Sequence, residues 1–251
     1  MADAGADARE LRAVTVSREY GSGGGEIAAR LARRLGWDLI DHDIVARVAR
    51  VLGETEDEAA ARDEHQEGLL ARILGNMAWV EQPVDVSALG LTPDAEARRY
   101  RQAVTEIVES GYHTGRVVVV GRGAQFILAA CPDVLHLRVV APLDLRVAYV
   151  MRREGLDEVA ARERVRRKDE GRARYLDSQY HHRADDARLY DLVINTGVLA
   201  LDDAVDFARL ALARKAARLA LPAGELGPAS GLARYPGAPR DLLPVDKPER
   251  G

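Results

Sequence analysis

Tyr20-Gly21-Ser22-Gly23-Gly24-Gly25-Glu26 follows a short β-branched run, Ala13-Val14-Thr15-Val16-Ser17, and leads into residues 26–35, where Ile27, Leu31 and Leu35 recur at helical spacing. The reading is strand, glycine loop, helix. Glycines let backbone amides approach and wrap an anion, and the amino end of the following helix adds a potential that favours negative charge. The stretch therefore predicts a phosphate site, against the alternative of a flexible strand-to-helix turn. It is not a dinucleotide fingerprint: Gly21 and Gly23 fit Gly-x-Gly-x-x-Gly, but Glu26 stands at the last position. Nor is it the standard phosphate loop, which requires Gly-x-x-x-x-Gly-Lys-Ser/Thr.

Outward from this loop, Gly36 predicts a helix stop, and residues 37–40 read as a second strand ending at Asp41-His42-Asp43. Residues 44–112 are mainly helical in pattern, interrupted around Gln82-Pro83 and residues 89–93, and predict a helical insertion. Residues 116–120 carry four consecutive valines between glycines, as a strand covered on both faces does. A helix over 123–130, a strand over 134–140 and a helix from Pro142 to about residue 154 follow. Residues 156–174 are helical in period and dense in charge, residues 192–194 make a fifth strand, and residues 201–219 an amphipathic helix. Residues 1–11 predict a flexible arm and residues 222–251 a flexible Pro/Gly-rich tail, leaving one domain over 12–221.

Strands alternating with helices predict an α/β fold: a five-stranded parallel sheet with helices on both faces. Ligands of such sheets bind outside the carboxyl ends of the strands. The unusual polar residues fall there: residues 21–26, Asp41 and Asp43, Gly121-Arg122-Gly123, and Asn195-Thr196.

A chain of 251 residues with 47% apolar and 30% charged side chains can bury a full core. Its net charge of −4 supplies no global field for nucleic acid or an anionic membrane, so neither is an expected partner and any anion site is local. Cys131 is the only cysteine, which excludes an intramolecular disulfide and fits a cytoplasmic chain. The first residues lack the basic and apolar blocks of a signal peptide, and no apolar run approaches the roughly 20 residues that span a bilayer. His181-His182 has no spaced third ligand, so no metal site is read.

The segment from Thr15 to Ala28, Thr-Val-Ser-Arg-Glu-Tyr-Gly-Ser-Gly-Gly-Gly-Glu-Ile-Ala, resembles the opening of the cytidylate kinase-like family, a nucleoside monophosphate kinase branch of the P-loop kinases. The usual loop of these enzymes reads Gly-Ser-Gly-Lys-Gly-Thr. The match places Gly24 at the lysine, Glu26 at the magnesium-binding threonine and Arg18 at the first loop glycine. The resemblance implies that Gly21, Ser22, Gly23, Gly24, Gly25 and Glu26 bind the donor phosphates. Arg18 becomes the candidate replacement cation, an ion pair with Glu19 or Glu26 being its other reading.

Ile40 to Arg47 is similar to Leu-Asp-Thr-Gly-x-x-x-Arg, which implies acceptor-binding roles for Asp41 and Arg47. On the residues alone, Asp41 also reads as a helix cap and Arg47 as a solvated helix arginine. Gly121-Arg122-Gly123 resembles the family's Asp-Gly-Arg-Asp segment, so Arg122 is implied to bind the acceptor phosphate, although Val120 and Gly123 stand where the flanking acids would be. Residues 156–186 look like an arginine-rich lid in which Arg167, Arg172 and Arg174 act on the transferring group and Asp169 orients one of them. A solvated helix laced by opposite charges is the competing reading.

In order along residues 12–215, these motifs imply transfer of the γ-phosphoryl group of ATP, with Mg²⁺, to CMP or a related small acceptor, the partners being small-molecule nucleotides. Two rivals stay open. The glycine at position 24 favours a nucleotide-binding regulatory module without transfer, and Val120 and Gly123 favour a kinase of a non-nucleotide small molecule. The oligomeric state is left open.

Overall fold

The computed structural model describes residues 10–41, 93–219, 221–222 and 225–227. Within them the chain runs β1 (Ala13–Arg18), α1 (Gly24–Leu35), β2 (Asp38–Ile40), α2 (Pro93–Thr114), β3 (Val117–Val120), α3 (Ala124–Ile127), β4 (Val134–Val140), α4 (Leu143–Glu154), α5 (Glu158–Tyr180), β5 (Leu192–Asn195) and α6 (Leu201–Leu219). The expected five-stranded parallel sheet is present, in the order β2-β3-β1-β4-β5.

Alternation along the strands divides the core between the two faces of the sheet. Val14, Val16, Val118, Val120, Leu135, Leu137 and Val139 pack with Ile27, Ala28 and Leu31 of α1 and with Ala204, Val205 and Ala208 of α6. On the opposite face Ala13, Val117, Val119 and Val134 meet Val104, Ile107 and Val108 of α2 and Ala124 of α3. All four valines of β3 are thus buried, which is why that strand shows no polar alternation. Each contributes about 2 kcal/mol of transfer free energy, enough to fix the strand centrally.

This division positions the site. β1 and β3 are parallel neighbours, yet the helix after β1 goes to one face and the helix after β3 to the other. A crevice opens between the carboxyl ends of two such strands, because their outgoing connections diverge. The glycine loop leaves β1 there, and Gly121-Arg122-Gly123 leaves β3.

Several boundaries differ from the sequence reading. α1 starts at Gly24, two residues early, because Gly23 caps it in a left-handed conformation. The helix expected over 123–130 is only Ala124–Ile127. The charged helix expected to end near residue 174 continues to Tyr180, where His181 stops it with a φ of 55°. The helical insertion expected over 44–112 is described only from Pro93 onward. The expected terminal arm and tail lie almost wholly outside the described residues. No described helix is long and apolar enough to cross a membrane.

Candidate phosphate site

Gly21 and Gly23 adopt φ of 82° and 78°, which side chains disfavour, and a Cβ at Gly21 would lie 2.6 Å from the Arg146 carbonyl oxygen. The loop is tied from beneath. The Ser22 hydroxyl, 2% exposed, donates to the carbonyls of Glu19 at 2.9 Å and Val139 at 3.2 Å. The Ser22 carbonyl accepts from the Thr196 hydroxyl at 2.8 Å, joining the loop to the residue after β5. Its amide donates to the Glu19 carbonyl at 3.4 Å, so Ser22 is spent on holding the loop by side chain and backbone alike. Among the described residues, the amides of Gly21, Gly23, Gly24, Gly25 and Glu26 meet no acceptor. A run of unpaired amides at a helix start is an anion nest.

A cluster of cations stands beside the nest. The Arg18 stem packs against Gly24 and its guanidinium lies over Gly121, so one side chain spans the crevice from the loop to the end of β3. Burial, then the charges of Arg172 and Arg122, push the Arg18 guanidinium down to about 10, with the Asp41 carboxylate acting in the opposite direction. It stays protonated near neutrality. Among the described residues no carboxylate is hydrogen-bonded to it, so a desolvated cation sits among like charges, the arrangement that an incoming anion relieves.

Arg122 is aimed by its backbone. Gly121, Arg122 and Gly123 have φ of 74°, 58° and 70°, and a left-handed arginine costs about 1–2 kcal/mol. Tyr180, at the end of α5, holds the turn from outside: its hydroxyl donates to the Arg122 carbonyl at 3.3 Å, and its ring stacks on Phe126 at a centroid distance of 4.9 Å. Strain retained by surrounding structure is typical of functional turns.

Arg172 is drawn in by α5. Its guanidinium carbon lies 5.4 Å from the centroid of the Tyr20 ring, and its Nη1 donates to Asp169 Oδ1 at 3.0 Å. Burial is the main cause of its lowered pKa.

Residues 13–198 match the model of the cytidylate kinase-like family. The chain belongs to the cytidylate kinase-like family. It is 25% identical over 207 residues to a cytidylate kinase of Methanopyrus kandleri, covering 79% of this chain and 92% of that one. It is 32% identical over 138 residues, 51% of this chain, to a uronate isomerase of Corynebacterium glutamicum, of whose length it spans 26%. A solved structure of an uncharacterized protein from Eubacterium ventriosum shares the fold, with a TM-score of 0.59 at 23% identity over 82% of this chain and 99% of the other.

In this cytidylate kinase-like chain, the fold brings Arg18, Asp41, Arg122 and Arg172 together beside the glycine loop. Arg167 and Arg174 are exposed on α5, Arg167 lying 3.8 Å from Glu163. The Glu26 carboxylate contacts Arg30 at 2.7 Å and Arg153 at 3.6 Å, and the Arg30 hydrogen bond chiefly lowers its pKa. Arg47, His42 and Asp43 lie outside the described residues.

Arg146 has no role in the sequence reading and stands at the base of the site. Only 9% exposed, it donates to the carbonyls of Ala141 at 3.0 Å and Tyr20 at 3.1 Å and to Asp169 at 2.6 Å. Glu19 completes its surroundings at 3.4 Å. The available signal was weak: an arginine one turn into a helix whose acidic partner lies on the next helix.

Proposed function

We propose that this chain transfers the γ-phosphoryl group of ATP to a small acceptor, CMP or a related nucleoside monophosphate being the first choice. The observation that carries the reading is the gathering of Arg18, Arg122 and Arg172 beside unpaired loop amides at the β1–β3 crevice. Such a site suits a polyphosphate in chemistry and charge, and bound ATP would supply the transferable group.

Each residue then has a task. The amides of residues 21 and 23–26 hold the donor phosphates, and Arg18 supplies charge that the loop lacks at Gly24. Arg122, with Asp41, receives the acceptor, and Arg172 neutralises charge on the group between them. Arg167 and Arg174 join only if α5 moves over the crevice, the closure that an arginine lid performs. Phosphoryl transfer needs little covalent help from a protein, so positioning and charge neutralisation carry the catalysis.

Magnesium fits less well. Among the described residues no group of three acidic, histidine or cysteine side chains could hold a metal ion, and the carboxylate of Glu26 is engaged by arginines. Mg²⁺ would arrive on the phosphates of ATP, as it often does, and no step here is assigned to it.

The test is ATP consumption measured against a panel of nucleoside monophosphates. Turnover highest with CMP or a close relative is expected. Gly24 favours one competing reading, a regulatory nucleotide-binding module, and ATP binding without turnover on any acceptor would select it. Turnover with a small alcohol or acid and with no monophosphate would select a non-nucleotide acceptor.

A further inference from the structure

We infer that Arg18 and Gly24 form a steric exchange: the loop cation is carried on the end of β1 instead of on the first turn of α1, and the two placements exclude each other. The proposal deepens the phosphotransfer reading and rests on it for the nature of the anion.

The geometry is specific at both ends of the Arg18 side chain. A Cβ at Gly24 would lie 2.6 Å from Arg18 Cβ and 3.2 Å from both Arg18 Cγ and Val139 Cβ. No flexible tip is involved, so neither partner can swing away: the obstacle is the root of one side chain and a core valine. A Cβ at Gly121 would lie 1.9 Å from Arg18 Nη1. The two glycines are thus cut-outs at either end of one extended arginine.

Gly24 is the informative one. Its backbone is not in the left-handed region, unlike that of Gly21, Gly23 and Gly121. Nothing about its conformation demands glycine, and helix propensity favours alanine there. The remaining reason for glycine is space, taken chiefly by the root of Arg18 and secondarily by Val139. A lysine at 24 would begin where the Arg18 stem already lies. By contrast, a cation at 18 reaches the crevice with its guanidinium fixed over Gly121, next to Arg122 and between the amide nest and the acceptor side. Arg18 therefore addresses an anion that spans donor and acceptor positions, as a phosphoryl group in transfer does.

The experiment is a cycle of Gly24→Ala, Arg18→Gly, Arg18→Gly/Gly24→Ala and Arg18→Gly/Gly24→Lys. Each is read by thermal midpoint without ligand and by calorimetric affinity for tripolyphosphate. Gly24→Ala is expected to lower the midpoint by several degrees in the wild-type background, against helix propensity, and to lower it far less in the Arg18→Gly background, where the Cβ at 18 is gone. Affinity should fall at least about tenfold whenever the cation is lost or displaced, and return to within about threefold of wild type in Arg18→Gly/Gly24→Lys. If Gly24→Ala does not fold, folding of Arg18→Gly/Gly24→Ala is the expected rescue. A Gly24→Ala protein as stable as wild type, or a Gly24→Ala loss as large in the Arg18→Gly background as in wild type, would overturn the exchange. Wild type that ignores tripolyphosphate while the stability cycle behaves as expected would leave the exchange standing and sink the phosphate reading instead.

Discussion

Asp169 Oδ2 accepts a hydrogen bond from Nη1 of Arg146 at 2.6 Å, joining α5 to α4 beneath the glycine loop. Its other oxygen accepts from the Tyr20 amide at 2.8 Å and from Arg172 at 3.0 Å. One carboxylate thus sets the loop entrance, the buried arginine below it and the arginine beside it. The same contacts hold the arginine-rich helix against the loop, so the two move together or part at Asp169.

Replacing Asp169 with Asn removes the charge and presents an NH₂ group to one of its donors. A charge-assisted hydrogen bond lost at a half-buried site costs about 2 kcal/mol. Urea denaturation is expected to show that loss, and the KM for ATP to rise as Arg172 and the loop lose their shared anchor. Unchanged stability would show that the clamp is not formed in solution.

Arg122 sets stability against function. Arg122→Gly relieves the left-handed backbone and is expected to stabilise the fold by roughly 1 kcal/mol, while raising the acceptor KM at least about tenfold. Arg122→Ala should lose the same affinity without the gain in stability. Equal acceptor kinetics in all three proteins would remove Arg122 from the acceptor site.

The arginines of α5 should separate by position. Arg172→Met is expected to lower kcat by about 30-fold or more, as loss of a group acting on developing charge does. Arg167→Met and Arg174→Met, on the exposed face, should change stability by less than about 0.5 kcal/mol. Their effect on kcat measures how far α5 closes. Steady-state kinetics of the three variants gives the ranking, and an Arg172→Met enzyme of full activity would exclude the lid role.

His136 predicts an acid-side loss of stability. It is buried in β4 with Nδ1 2.8 Å from the Thr15 hydroxyl oxygen, and burial is the main cause that holds its pKa below 6.5, with Lys215 acting in the same sense and Asp191 against it. Below pH 6.5 the unfolded chain takes up a proton that the folded chain refuses, so this group's contribution is complete above 6.5 and is lost as pH falls toward the folded pKa. Denaturant midpoints for wild type and His136→Gln should diverge least in acid. Parallel midpoints from pH 7 down to 5 would contradict the assignment.

The sheet was legible wherever burial imposes a pattern. The run of valines in β3 and the apolar stretch of residues 134–140 carry their burial in their composition, and β4 spans Val134–Val140 as expected. Helix α6 is likewise Leu201–Leu219 in both readings. The short α3 was overextended because alanines at 129–130 suit a helix, whereas the left-handed turn over residues 121–123 sets its start and Leu128 already leaves helical geometry. Arg18, Arg122 and Arg172 could be picked out beside motifs, but Arg146 could not. Its burial depends on Asp169, 23 residues on, and on the Tyr20 carbonyl, 126 residues back. The reason for Gly24 was equally hidden, since it is the path of another side chain and not a backbone angle.

The most direct test of the site is a calorimetric titration of ATP into wild-type protein and into Arg18→Met. Micromolar binding by wild type, weakened at least about tenfold by the variant with no loss of thermal stability, is the predicted result. Equal affinity in the two proteins, or no binding by wild type, would contradict the claim that the glycine loop and the Arg18 guanidinium together hold a nucleotide's phosphates.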